Sequence, residues 1–309
     1  MKGAVDEFRR IALPGKGPED VVVLPDGRLI TGLDDGRLLA VDPSTDEVEV
    51  LADTAGHLLG LEAEPDGSIL ICDHDRGLLR LPAGQGRPTV LVDEIDGRPL
   101  RFASNAVAAS DGTIYFTASS QRYTIDRWRS DIIEHSATGR LMSLSPDGAV
   151  AVLRDDLQFA NGVVLAPDES YLLVAETGAS RIARVWLTGD TAGESDVFVY
   201  GLPGYPDNLS VGSDGLIWCA LATPRNSVLE GILKLPPRAR RVLAKVPERL
   251  GPDPENSAWV LGIDFDGEIV HDVRLSGVDF AFVTSVAERD GVLYLGTIVD
   301  SALGVYRLP

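Results

Sequence analysis

Cysteine is nearly absent from this chain: Cys72 and Cys219 are the only two in 309 residues. Each lies in an apolar, strand-like run, "SILICD" and "LIWCAL". Two buried free thiols are therefore expected, not a disulfide scaffold. Basic residues are also scarce, with 28 Lys and Arg against 47 Asp and Glu, a formal net charge of −19. Such a field repels phosphate backbones, which excludes nucleic acid as a partner, and it is compatible with cations. No run of about 18 apolar residues is available to span a bilayer, and no apolar leader follows Met1. The expectation is a soluble cytoplasmic protein with no membrane partner. Of the four histidines, His57 and His271 carry no signal beyond surface or core.

What the chain does have is a repeat. The segments "LPDGRLITG" (24–32), "EPDGSILIC" (64–72), "ASDGTIYFT" (109–117), "APDESYLLV" (166–174), "GSDGLIWCA" (212–220) and "ERDGVLYLG" (288–296) each read as a turn followed by an apolar strand. Each is also preceded by an apolar strand, and Asp-Gly between two apolar runs is a strong hairpin signal. A second hairpin follows most of them, as in "GRLLAVDPSTDEVEVL" (36–51) and "GRLMSLSPDGAVAVL" (139–153). Four strands per unit and six units predict an all-β fold, a six-bladed β-propeller filling one domain, 1–309. The longest spacings need insertions, over 119–138 in blade three and 224–256 in blade five, both with helical character. The sixth unit holds only three strands, so "VDEFRRIAL" (5–13) is expected to supply the fourth and close the ring.

Blades share one register, so equivalent positions can be compared. The residue seven before each turn Asp is Glu19, Leu59, Ser104, Asn161, Asp207 and Val283 in order; the next along is Asp20, Gly60, Asn105, Gly162, Asn208 and Thr284. Innermost strands begin near the central channel, so the first set should ring one mouth. A lone Asn or Asp ahead of a strand is usually a turn or cap residue. Glu19, Asn161 and Asp207 on three blades of one ring ask for more. Oxygen-only donors suit a hard divalent cation, Ca²⁺ first, with Mn²⁺, Mg²⁺ or Zn²⁺ as alternatives. Two carboxylates at close range also repel unless a cation or proton lies between them.

"GPEDVVVLPDG", "DGTIYFTASS", "FANGVVLAPDESYLLVAET", "GLPGYPDNLSVGSDGLIW" and "DGVLYLGT" resemble the six-bladed propellers that include gluconolactonases, paraoxonases and strictosidine synthase, with bacterial strictosidine-synthase-like proteins the nearest in pattern. The likeness runs over nearly the whole chain. It implies a catalytic divalent metal in the channel, held by Glu19, Asn161 and Asp207, with Asn208 matching the extra Asn of the paraoxonase-like pattern. Three departures stand out. Blade three carries Ser104-Asn105 where the family usually has Asn-Asp. A one-residue shift reverses side-chain direction along a strand, so Asn105 becomes a fourth ligand only through a local bulge. Blade two presents Leu59 where paraoxonases place a His. Blade six presents Thr284 where strictosidine synthase uses a Glu, which argues against its condensation reaction.

The second strand of each blade returns to the same mouth, bringing Asp73, His74, Ser119, Glu176, Thr177 and Thr297 into a supporting shell, with Glu176 expected to orient Asn161. The 119–138 insertion carries Arg122, Tyr123, Trp128, Arg129 and His135 and is expected to lie over the mouth as a lid. The resulting expectation is a metal-dependent lactonase or esterase with a small-molecule substrate. Glu19, Asn161 and Asp207 are its catalytic set, and Asp207 is its base, ahead of Asp20. Ser104, Asn105, Asn208, Glu176, Arg122 and Tyr123 are its substrate contacts. A strictosidine-synthase-like condensing enzyme and a non-catalytic, metal-stabilised binding propeller are the alternatives.

Overall fold

The computed structural model describes residues 2–3, 7–84, 86–246 and 257–309. Six antiparallel four-stranded sheets form the blades of a propeller. Their innermost strands are Val21–Val23, Leu58–Ala63, Ala103–Ala108, Ala160–Leu165, Gly204–Val211 and Val283–Arg289. Phe8–Ala12 adds to blade six, pairing antiparallel with Ala302–Arg307 from Phe8↔Tyr306 to Ala12↔Ala302. The expected ring closure is thus present; Val5 and Asp6 of the segment proposed for it lie outside the described residues. Lys2–Gly3 adds a short parallel fifth strand to blade five. Cys72 and Cys219 are free and buried.

The repeated Asp has a local job. In five blades its carboxylate accepts the backbone N–H two residues on: Asp26 from Arg28 at 3.0 Å, Asp66 from Ser68 at 2.9 Å, Asp111 from Thr113 at 2.8 Å, Asp168 from Ser170 at 3.1 Å and Asp214 from Leu216 at 3.0 Å. These side-chain turns fix the hairpins. Blade six differs. Its strands pair as Arg289↔Val292 around a two-residue turn in which Asp290 (φ 52°) and Gly291 (φ 76°) are both left-handed. That turn is shorter, so counting back from Asp290 lands one residue early. Val283 does not belong to the channel ring; Thr284 does.

Both insertions are helical as expected over their described residues; 247–256 of the second lie outside them. Blade three carries α1 (Trp128–Glu134); blade five carries α2 (Ser227–Leu233) and α3 (Pro237–Leu243). Asn226 caps α2, its side-chain oxygen accepting from Val228 N and Leu229 N. The helices lock to one another over the mouth: Arg127 donates to the Ala244 carbonyl at 2.9 Å, and Glu134 accepts from Arg122 at 2.6 Å and Arg241 at 3.2 Å.

Candidate active site

A bulge opens the innermost strand of every blade from two to six, where the pairing slips between Leu58 and Leu61, Ala103 and Ala106, Ala160 and Val163, Pro206 and Leu209, and Val283 and Ser285. A bulge re-aims side chains, so two consecutive residues of each strand reach the channel. They form two tiers.

The upper tier, Glu19, Leu59, Ser104, Asn161, Asp207 and Thr284, lines a cavity of ≈ 240 Å³ beneath the helices. Ser104 Oγ donates to Asn161 Oδ1 at 2.8 Å. Asn161 Nδ2 donates to Asp207 Oδ1 and, at 3.3 Å, to Thr177 Oγ1. Thr284 Oγ1 donates to the Glu19 carbonyl at 2.6 Å and so ties blade six to blade one.

The lower tier lies below this floor. Asn105 reaches the axis, as the bulge allows: its Nδ2 stands 3.4 Å from Asp20 Oδ2 and 3.4 Å from Asn208 Oδ1, linking blades one, three and five. Asp20 accepts from Val21 N and Leu61 N, each at 2.8 Å. Gly60 and Gly162 hold the matching places in blades two and four. Neighbouring strands approach so closely there that a Cβ on Gly162 would meet Leu209 N at 2.2 Å.

The carboxyls here are costly. Burial, then the charges of Asp207 and Asp20, holds Glu19 well above the usual carboxylate range, with the nearby Asn208 side chain acting in the opposite direction. Burial pushes Asp207 up to about 8, opposed by the Asn161 hydrogen bond and reinforced by Asp20. Asp20 rises to about 6, again through burial. Among the described residues, buried Glu19 Oε2, Asn208 Nδ2 and Ser285 Oγ make no hydrogen bond of ordinary geometry. No arginine or lysine makes an ion pair with Glu19, Asp20 or Asp207 among the described residues.

This donor set fits a divalent cation. An orphaned carboxylate oxygen, two close acidic groups and adjacent amides are what a hard ion uses. Among the described residues no group of three or more His, Cys, Asp or Glu side chains stands in ligating arrangement, so amide oxygen must contribute. Asn161 now offers its NH₂ to Asp207. Turned over, it would offer oxygen instead, and the Ser104 hydroxyl can accept as readily as it donates.

Other expected residues fall elsewhere. Asp20 serves backbone N–H groups below the floor, which removes it as a base. Glu176 turns away: its oxygens accept from Gln158 N at 2.8 Å and from Arg181 Nε at 2.5 Å. Thr177, one residue on, supports Asn161 in its place. Arg122 and Tyr123 are not cavity residues; both bond to Glu134 and line a separate lateral pocket with Arg98 and Arg140. Asp73 is spent on local turns, accepting from Thr54, His57 N, Asp75 N and Arg76 N, and Thr297 Oγ1 donates to Ala281 O at 2.7 Å. His271 stacks on Trp218 at 5.5 Å.

Sequence reasoning missed the walls. Phe102, Phe159, Tyr205 and Phe282 all line the cavity, and each lies two residues before a ring residue. Reading that register across the blades would have found them.

A family model described as strictosidine synthase matches residues 104–190, and one described as the N-terminal part of strictosidine synthase-like proteins matches residues 4–41. The chain is 33% identical over 296 residues to protein STRICTOSIDINE SYNTHASE-LIKE 6 of Arabidopsis thaliana, covering 92% of this chain and 77% of the relative. It is 33% identical over 308 residues to the adipocyte plasma membrane-associated protein of Mus musculus, covering 91% and 73%. A solved structure of a gluconolactonase from Xanthomonas campestris superposes with a TM-score of 0.70 at 18% identity, covering 98% of this chain and 89% of that one. At that identity the likeness is one of fold.

Proposed function

The chain belongs to the strictosidine synthase-like family, and within that family we propose that it is a divalent-metal-dependent hydrolase of a lactone or ester. The observation that carries this reading is the floor of the cavity. Glu19, Asn161 and Asp207 converge there with a carboxylate oxygen that makes no ordinary hydrogen bond and, among the described residues, no basic counter-ion. The gluconolactonase neighbour supports the same reaction class by fold.

Glu19, Asn161 and Asp207 would hold the ion, Ca²⁺ first; Asn105 and Asn208 brace the tier beneath. Bound there, a divalent cation supplies Lewis-acid polarisation of the substrate carbonyl. The chain's own residues do the rest. Ser104 and Thr177 fix the Asn161 amide. Asp207 faces the cavity beside the Asn161 amide and is the assigned proton acceptor. In the hydrolysis one water oxygen bonds to the carbonyl carbon and the ring C–O bond breaks. Asp207 takes the water's proton and returns it to the departing alkoxide, leaving a hydroxy acid. The condensing alternative gains nothing from blade six, where Thr284 is engaged with the Glu19 carbonyl.

Among the described residues no helix is long and apolar enough to cross a membrane. A small-molecule substrate and a cytoplasmic location belong to the same proposal.

The test is hydrolysis of a lactone and aryl-ester panel by chelator-stripped protein, with and without Ca²⁺, Mn²⁺ and Zn²⁺. Metal-restored turnover, lost in Asp207→Asn, is expected. Full turnover in chelator would end the metal reading. No turnover on any substrate, with melting raised by metal, would leave a binding propeller.

A further inference from the structure

Three wall residues share an unusual backbone. Phe102 (φ 59°), Phe159 (φ 59°) and Phe282 (φ 55°) are all left-handed. They occupy one register, two residues before Ser104, Asn161 and Thr284. Gly17 fills that register in blade one with φ 68°, so the bend into the innermost strand is a demand of the fold at these places. Glycine meets it without strain, whereas a bulky residue with positive φ is a rare outlier. Strained residues of this kind persist at ligand clamps. The choice of phenylalanine at three such bends therefore needs a reason beyond the bend.

The rings supply one. Phe102 and Phe159 meet edge to face at 5.4 Å, and Phe282 packs against Trp128 of α1 at 6.0 Å. Leu59, Ile132 and Leu229 continue the apolar wall under the helices. Polar side chains gather on the floor. Above it the polar lining residues are Arg129, stacked on Trp128 at 5.3 Å, Ser130, which accepts from Arg127, Thr223, and Asn226, whose oxygen caps α2.

We propose that the cavity takes an apolar substrate: a lactone or ester with an alkyl or aryl tail, its carbonyl on the Asn161–Asp207 floor and its tail against the three phenylalanines beneath α1 and α2. This rests on the hydrolase reading for the carbonyl end only. A sugar lactone, with a hydroxyl on nearly every carbon, would bury most of its donors against phenylalanine, leucine and isoleucine, with few polar wall residues to meet them.

The experiment measures binding by the full chain, by titration calorimetry in Ca²⁺, of γ-butyrolactone, γ-hexalactone, γ-octalactone, γ-decalactone and D-glucono-δ-lactone, with turnover followed separately. Each buried methylene is worth about 0.8 kcal/mol, so Kd should fall by about fourfold per added CH₂ until the tail fills the space. Gluconolactone should bind more weakly than γ-octalactone. Phe159→Gly and Leu229→Asn should flatten the chain-length series; the second changes a helix with no fully buried residue, so it keeps the test open if the first misfolds. A Kd independent of tail length, or gluconolactone binding more tightly than γ-decalactone, overturns the proposal. Length-dependent binding without turnover upholds it and sinks the hydrolase; turnover confined to gluconolactone does the reverse.

Discussion

Replacing Phe159 by glycine and by alanine separates two contributions that usually travel together. Both changes delete a ring that is 5% exposed, at about 2–3 kcal/mol for lost apolar burial. They differ in the backbone. Alanine at φ 59° keeps the left-handed strain, worth about 1–2 kcal/mol, and glycine releases it. Glycine also has a freer unfolded chain, which costs about 0.5–1 kcal/mol. The glycine variant should therefore be the more stable by about 0.5–1 kcal/mol. At an ordinary buried strand position such as Leu172 the order should invert, with alanine ahead. Urea unfolding of the four variants at one pH and fixed Ca²⁺ reads the difference directly. If Phe159→Ala equals or exceeds Phe159→Gly while the Leu172 pair behaves normally, the backbone at 159 is not strained and the clamp reasoning fails.

Other outcomes follow from the floor and the roof. Burial holds Asp207 at about 8 and Glu19 above the ordinary range, so between about pH 4 and pH 8 the folded, metal-free chain holds more protons on these two groups than the unfolded one, with His57, His74 and His135, all lowered by burial, opposing them only below about pH 6.5. Its melting temperature in chelator should fall as pH rises through that window, and Ca²⁺ should raise it more at pH 8 than at pH 5, because the ion displaces protons; melting that climbs with pH in chelator would contradict this. Glu19→Gln should weaken Ca²⁺ binding and cut turnover by about 10²-fold, near 3 kcal/mol, with near-normal folding by circular dichroism; unchanged Ca²⁺ affinity removes Glu19 from the ligand set. Glu134→Gln breaks the links to Arg122 and Arg241 and should raise KM and speed proteolysis within 119–138. Global stability should change by under about 1 kcal/mol, since both arginines are substantially exposed; an unaltered cleavage rate would show that Glu134 does not hold the lid.

Blade count, ring closure and both helical insertions were readable in the sequence because Asp-Gly turns and alternating strands are local signals. So was the upper tier, since one register applies to all blades. It failed at Val283, where a two-residue turn shortens the hairpin and the count slips to exclude Thr284. Glu176 misled for another reason. A carboxylate at a strand end gives no sign of where it turns, and an arginine five residues on, Arg181, captured it. Arg122 and Tyr123 likewise were drawn to Glu134, a partner that only the fold of α1 brings near. The left-handed phenylalanines were the deepest omission, because positive φ is associated with glycine and asparagine and an aromatic residue is not read for it.

The strand Phe8–Ala12 pairs with residues 302–307, and Thr284 binds the carbonyl of Glu19. Both contacts join the two ends of the chain. Long-range pairing of this kind must meet its loop-closure cost before it is rewarded, and it slows folding. A ribosome-bound chain that has emitted five blades still has an open sheet edge and a floor missing one side. The floor of the cavity is therefore complete only when blade six has docked on blade one, which makes its assembly as cooperative as the ring itself.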